Sequence, residues 1–530
     1  MYADNIYYNG KIVTCSHGHA RVDASAIAIS GKSILAVGND SDITAFRGPD
    51  TVLNDLNGKM VTPGFVEGHT HLLMQGEASV RIDCDGMTEE EVITSIRKKL
   101  ASIDPGEWVT GNCGFRCSGW SEPESGFLSV DKLDALLPRN PFVVIRINGG
   151  NLIVRANTLA LKAAGINLNA EIYGLNGLRP EVDSAIKAVM PPRNDAYEEK
   201  LFQYAEKEMF SFGITSCLFV CANNKDANIL RNLYERDALQ LRVSLAFGGI
   251  PDSTVEDYRK YCSVEPVSGL YDDRYTARMI KFFTDGTFGR HTAALTSPYS
   301  DDPGCVGTLL YSDKELYDIV STAVKAGYQT AGHTVGDRAM KQILDIYEKV
   351  ITELDLKDHR LRVEHLQLIR PEDPLRMKKY SILASMQPAH APYNRVMSEI
   401  RLGKERSRWL YALRPVQDAG VLIAGGSDAP VQSANPFVGM YAAVTRKCED
   451  GQPAGGYFSE NSITREQALL AYTIQGAYAI FADKTRGSLE PGKNADFVVL
   501  DRDLLNCDPD EIKDIRPLFT VCGGDVVYEA

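Results

Sequence analysis

The feature that most restricts the fold is a recurrence. Short apolar runs each end in a side chain able to bind a metal, and the later ones are spaced at about whole numbers of strand-helix units. GFVEGHTHLL carries His69 and His71, ARMIKFFTDG carries Lys281, YQTAGHTVGD carries His333, LRVEHLQLI carries His365 and VLIAGGSDAP carries Asp428. His333 and His365 are 32 residues apart, close to the ~31 that one unit of an eight-fold βα barrel uses. His365 and Asp428 are 63 apart, two units, with SILASMQPAH as the strand between. Lys281 to His333 is one unit plus the loop GTFGRHTAALTSPYSDDPG, expected over the barrel mouth. Strand C-termini share one face of such a barrel, so the six side chains converge. Two helices between runs have ordinary core stripes: Met340, Ile343, Leu344, Tyr347, Ile351 and Leu354 in one, Leu316, Ile319, Val320, Ala323 and Val324 in the other.

The two ends of the chain read differently. NIYYNGKIVT, AIAISGKSILAVG and VLNDLNGKMVT are short strands joined by tight turns, with Asn9-Gly10, Asn57-Gly58 and, more weakly, Ser30-Gly31 suited to positive-φ hairpins. ADFVVLDRD and FTVCGGDVVYEA return to the same pattern. The expected organisation is a composite β-sandwich from residues 1–59 and 484–530, and a barrel from 60–483. About 140 residues separate His71 from the next barrel-type strand, ITSCLFV, so a subdomain is inserted after the first barrel strand, over 75–195. It holds the Gly-rich GNCGFRCSGW and a strand pair in PFVVIRINGGNLIVRA, and is a place for substrate-contacting loops.

With 24% charged and 44% hydrophobic residues, the 530-residue chain has the balance of a globular protein of several domains. A net charge of -13 opposes binding to phosphate backbones and anionic membrane surfaces, so neither nucleic acid nor membrane is an expected partner. MYADNIYYNG lacks a basic stretch followed by an apolar one, and the expected location is cytoplasmic. The 11 cysteines are odd in number and scattered, which disfavours a disulfide framework; Cys113/Cys117 and Cys217/Cys221 read as buried thiols.

His69 and His71 alternate at a strand end, so both imidazoles point to one side and can serve one metal. The same spacing in His17 and His19 has no companion ligands and carries no role. A lysine inside an apolar strand is costly as a cation, and desolvation favours the neutral amine. Such an amine can take up carbon dioxide as a carbamate, an anionic oxygen ligand that bridges two cations. Four neutral imidazoles, the carbamate and Asp428 then suit two divalent metals, a centre that polarises a carbonyl and generates hydroxide at neutral pH.

Strand-end H-x-H after PGF, followed by Lys, His, His and Asp in that order, resembles the amidohydrolase superfamily. DGTFGRHTAAL, GHTVGDRAM, RVEHLQL, SMQPAH, GGSDAPV and GSLEPGKNADFVVLD are similar to its amidohydrolase family 3 branch, which includes N-substituted formamide deformylases. The resemblance implies an α/β fold, a distorted (β/α)8 TIM barrel with the composite β-sandwich, and a metal-dependent hydrolase of non-peptide carbon–nitrogen bonds. It implies that His69 and His71 bind the more buried metal, that Lys281 is carboxylated and bridges, and that His333 and His365 bind the second metal. Asp428 then ligates and moves protons. Two departures stand out: Glu67-Gly68 replaces the common aspartate before H-x-H, and INGGNLIVRAN lacks the histidine of a D-G-H motif.

The expected reaction is attack of a metal-bridging hydroxide on an amide-like carbonyl of a small-molecule substrate, with Asp428 passing a proton to the leaving amine. His390 in QPAHAP is a candidate to support the oxyanion or the leaving group; Arg290 and Trp120 are candidate substrate contacts. Zinc is the expected metal, although manganese and iron accept the same ligands. A mononuclear deaminase on the same barrel is the nearest alternative. It typically needs a glutamate three residues after the strand-five histidine, where this chain has Gly336. A non-catalytic scaffold is the other alternative. The oligomeric state is left open, a homo-oligomer included.

Overall fold

The computed structural model describes residues 1–530 apart from 85–86, 102, 114–127, 147–151, 168–171, 175–176 and 251–252. The chain divides into two compact units, one of Met1–Leu72 with Glu206–Ala530, the other Leu73–Ala205.

In the first unit, eight parallel strands form a nearly closed barrel: β1 (Phe65–Thr70), β2 (Ile214–Ala222), β3 (Arg242–Gly248), β4 (Tyr275–Phe283), β5 (Gln329–His333), β6 (Arg362–Glu364), β7 (Leu383–Met386) and β8 (Ile423–Gly425). Each pairs with the next, and a bridge from Thr70 to Ala429 joins the two ends. Glycines permit that last approach. A Cβ on Gly68 would lie 2.5 Å from the Gly425 carbonyl oxygen, and one on Gly426 would lie 2.8 Å from the His69 amide. The helices that cover the barrel bury the expected stripes: Met340, Ile343, Leu344 and Tyr347 on Asp337–Glu353, and Leu316, Ile319, Val320 and Ala323 on Asp313–Lys325. Ile351 and Val324 are only half-buried, and Leu354 caps the helix end.

Two further sheets draw on both chain ends. One is four-stranded and contains Ala3–Tyr8, Ala26–Ser30, Ser33–Gly38 and Arg47–Asp55; the other is six-stranded and joins Lys11–Val13, Val22–Ala24 and Met60–Pro63 to Phe497–Leu500, Pro517–Cys522 and Asp525–Glu529. Tyr7, Ile27 and Ile29 of the first share a core with Ile12, Val61, Phe497 and Val499 of the second, which makes a sandwich. The turns behave differently from expectation. Asn9 and Asn57 have the positive φ predicted for them, at 56° and 50°, yet neither closes a hairpin. Ala3–Tyr8 and Lys11–Val13 lie in different sheets, as do Arg47–Asp55 and Met60–Pro63. Both Asn-Gly turns carry the chain between the layers; only Ser30-Gly31 closes a hairpin, with Ser30 opposite Ser33. Turn chemistry specifies a reversal, whereas burial of the flanking faces decides the partner. His17 and His19 are exposed on and just after a short 3-10 turn.

In the second unit a four-stranded sheet of Ile82–Asp83, Val109–Cys113, Phe142–Arg146 and Leu152–Ala156 has helices packed on both faces. Alternation along Phe142–Arg146 separates the faces. Phe142 and Val144 join a cluster with Val92, Ile96 and Leu133, while Val143 and Ile145 join Leu161, Val182 and Ile186. No disulfide occurs among the described cysteines, and no described helix is long and apolar enough to cross a membrane.

Candidate metal centre

The C-terminal ends of β1, β4, β5, β6 and β8 bring the six expected side chains into one neighbourhood. Ring centroids run from His71 to His69 at 6.0 Å, from His69 to His365 at 4.8 Å and from His365 to His333 at 4.6 Å. Donor atoms of His69, His365 and Asp428 all lie within 4.8 Å of one another. Asp428 Oδ1 is 3.5 Å from His69 Nε2 and 3.1 Å from His71 Nε2, and has hydrogen-bonding geometry to neither. A buried carboxylate oxygen left in this way among imidazole nitrogens fits a cation.

The ring nitrogens are sorted by their other partners. His69 Nδ1 donates to Glu364 Oε2 at 2.5 Å, and His365 Nδ1 donates to Gln387 Oε1 at 2.8 Å. Each therefore turns an unprotonated Nε2 to the centre. His333 Nε2 donates to the Gly286 carbonyl at 3.2 Å, which leaves Nδ1 as its lone pair. Imidazoles held by a carboxylate, an amide oxygen or a carbonyl on the far side are typical of metal sites.

Burial keeps His333 neutral, its pKa down to about 3, and holds His365 well below the ordinary imidazole range. His71 differs: burial opposes its protonation, but the neighbouring Cys221 thiol and Asp428 carboxylate drive it up to about 10. Burial of Asp428 is outweighed by the His69 and His71 imidazoles, which hold its carboxyl well below the usual range. Lys281 is 1% exposed, and burial lowers its pKa against the opposing charges of Glu364, Cys221 and Asp428. Its backbone pairs with β3 and β5, and its Nζ lies 5.3 Å from the Phe283 ring centre.

Several residues at the centre were not anticipated. Glu364, beside His365 in RVEH, is fully buried and paired with the fully buried Arg362 at 2.5 Å; Arg362 also donates to the Gly68 carbonyl and to Ser385. Glu67, on the same side of β1 as the two histidines, accepts from the amides of His69 and Ser427, both at 2.9 Å, and burial raises its carboxyl to about 8. Cys221, next to the end of β2, has a left-handed backbone, φ 59°, where the β2–β3 register shifts; it is only partly buried, unlike the core thiol expected, and is among the groups acting on His71. The signal for Glu364 and Glu67 was present, since both are acids in strands that are otherwise apolar. The signal for Cys221 was not, because a bulge is invisible in the sequence.

His390 begins a short helix after β7, is buried, and has Tyr411 OH 3.0 Å from its Nδ1. Arg290 is exposed at the end of the turn Phe288–Arg290. Trp120 and the first five residues of INGGNLIVRAN lie outside the described residues, and the rest of that segment forms the strand Leu152–Ala156 and the helix cap Asn157. At Gly336 a Cβ would sit 2.0 Å from the Ala294 carbonyl oxygen.

A nearly closed parallel barrel with histidines, a buried lysine and an aspartate gathered at its C-terminal mouth defines a class, the metal-dependent hydrolases built on this fold. Residues 53–528 match the model of the amidohydrolase family, and the chain belongs to that family. It is 28% identical to the N-substituted formamide deformylase of Arthrobacter pascens, covering 96% of this chain and 95% of that one. YtcJ of Bacillus subtilis (strain 168) is also 28% identical, over 99% of both chains. Among solved structures, a metal-dependent hydrolase of Pyrococcus horikoshii OT3 is similar at a TM-score of 0.74 and 25% identity, over 95% of this chain and 99% of that one.

Proposed function

We propose that the protein hydrolyses a non-peptide carbon–nitrogen bond of a small amide-like substrate at the barrel mouth. The observation that carries this reading is the grouping of the His69, His365 and Asp428 donor atoms, with the His71 and His333 rings and buried Lys281 beside them and the outer nitrogens of three imidazoles engaged by other partners. The residues would hold two divalent cations, zinc being the expected pair, with Lys281 as a carbamate bridge. When bound, the cations supply Lewis acidity and a hydroxide nucleophile at neutral pH. His69 and His71 serve one position, His333 and His365 the other.

Asp428, its carboxyl ionised and one oxygen without a hydrogen bond, accepts the proton of the attacking water and returns it to the leaving amine. His390 stays neutral because burial lowers its pKa, and it donates to the carbonyl oxygen as negative charge develops there. The likeness to an N-substituted formamide deformylase supports an amide or formamide as the substrate class. The deaminase alternative lacks its acid, and the Ala294 carbonyl leaves no space for a side chain at Gly336.

The test combines metal analysis with a substrate panel. Two equivalents of metal and turnover of at least one formamide, amide or carbamate are expected. One equivalent with an unmodified Lys281, or no turnover across the panel by protein carrying two equivalents, would overturn the reading.

A further inference from the structure

Behind His390 lies a buried polar arrangement that the reaction described above does not use. Tyr411 OH is 3.0 Å from His390 Nδ1, with the rings perpendicular and their centres 5.6 Å apart. Tyr411 is 2% exposed, and burial pushes its phenol well above the ordinary range, so it remains a neutral hydroxyl with one proton to place. Among the described residues His390 Nδ1 is the one acceptor that hydroxyl has. Donation to Nδ1 obliges a neutral imidazole to carry its own proton on Nε2. That nitrogen is buried and has no hydrogen-bond partner. His390 opens the short helix that follows the C-terminal end of β7, the mouth end of the barrel.

The tyrosine itself is held at a cost. Its backbone is left-handed, φ 44°, in the region that non-glycine residues rarely occupy. Its amide donates to the Gln367 carbonyl at 2.8 Å, and its carbonyl accepts from Arg446 Nη1 at 2.9 Å. Arg446 is 0% exposed and forms no salt bridge among the described residues; its guanidinium binds the carbonyls of Leu410, Tyr411 and Tyr457 instead. Burial lowers its pKa to about 10, so it is still a cation at neutral pH. A buried charge committed to three carbonyls around one strained residue is expensive unless the position of that residue matters.

We propose that Tyr411 is a positioning residue, which fixes His390 as the Nε2–H tautomer and so presents one preset donor to the substrate's carbonyl oxygen. This rests on the hydrolase reading above for its consequence in catalysis, but the tautomer itself does not. Two measurements separate them. The first is 15N NMR of the zinc-loaded full chain with labelled histidines, His390 being assigned by the resonances lost in His390→Asn. The expected wild-type spectrum has a protonated Nε2 and an unprotonated Nδ1, and Tyr411→Phe should give a mixture of tautomers at unchanged zinc content. The second is kinetic, on whichever panel substrate is turned over. His390→Asn should lower kcat about 100-fold, as loss of a donor to the developing oxyanion does. Tyr411→Phe should lower it about tenfold with little change in KM. The double variant should be no slower than His390→Asn alone, because the tyrosine acts only through the histidine. A wild-type proton on Nδ1, an unchanged tautomer in Tyr411→Phe, or kinetic losses that multiply in the double variant would each overturn the proposal. Should Tyr411→Phe fail to fold, the wild-type spectrum still decides. Absence of turnover across the panel would instead count against the hydrolase reading and leave the spectrum to judge Tyr411.

Discussion

At the scale of single residues, the candidate centre depends on how each ring is held from behind. Glu364 receives the His69 Nδ1 proton and neutralises Arg362, all three groups being almost fully buried. Glu364→Gln should therefore act twice. It leaves the Arg362 charge uncompensated, at a cost of about 3–5 kcal/mol in denaturant unfolding, and it should weaken metal binding about 10–100-fold in a competition assay with a chelator. The pH dependence has a definite sign. Burial opposes ionisation of Glu364, but Arg362 and His69 hold its carboxyl well below the ordinary range. Its stabilisation is present above the unfolded value of about 4.3 and fades as pH falls toward the lowered one. Thermal unfolding from pH 6 to pH 3 should show an acid limb that is smaller in the glutamine variant. Asp428→Asn is the complementary change: it should abolish turnover while elemental analysis still finds most of the metal. Unaltered turnover would remove Asp428 from proton transfer.

At the scale of elements, close approach is what glycine permits in this barrel. The loop after β4 is tied to β5 through Asp285, which accepts from the amides of Ala294, Val335 and Gly336. Ala294 consequently lies directly over Gly336. Introducing the acid that a deaminase would use, as Gly336→Glu, should push this loop off β5. A loss of at least about 1–3 kcal/mol in stability, seen as a lowered Tm, is expected, with no gain of deaminase activity. A stable variant with deaminase turnover would show that the loop yields. The same reasoning explains the Asn-Gly turns of the sandwich: a positive-φ residue makes the reversal possible, but the next strand pairs where its apolar face finds cover.

At the scale of the whole first unit, barrel and sandwich are joined by a buried charge. Arg242 on β3 makes a two-pronged contact with Asp496, 2.7 and 3.0 Å, just before the strand Phe497–Leu500, and both side chains are 3% exposed. Asp496→Ala should cost about 3–5 kcal/mol, because one partner of a buried pair is left alone. Urea unfolding would measure it, and a loss under about 1 kcal/mol would show that water reaches Arg242.

Much of this was legible in the amino-acid order. Strand-end His, Lys and Asp at the period of a βα unit announce a barrel, and the return of strand patterns after residue 484 announces a sheet shared by both ends. These signals are readable because periodicity and burial are local properties, repeated along the chain. Other features depend on which segments meet. Glu364 could be seen as an acid beside His365, but not as the partner of a histidine 295 positions away. Cys221 stands near His71 at an irregularity of β2, and Tyr411 meets His390 from 21 positions away while its carbonyl is held by Arg446 at the end of another helix. Sequence determines what each segment can bury and which groups it can offer; tertiary packing alone decides which of those groups face one another, because hydrogen bonds and charges act over a few ångströms of space whatever the distance along the chain.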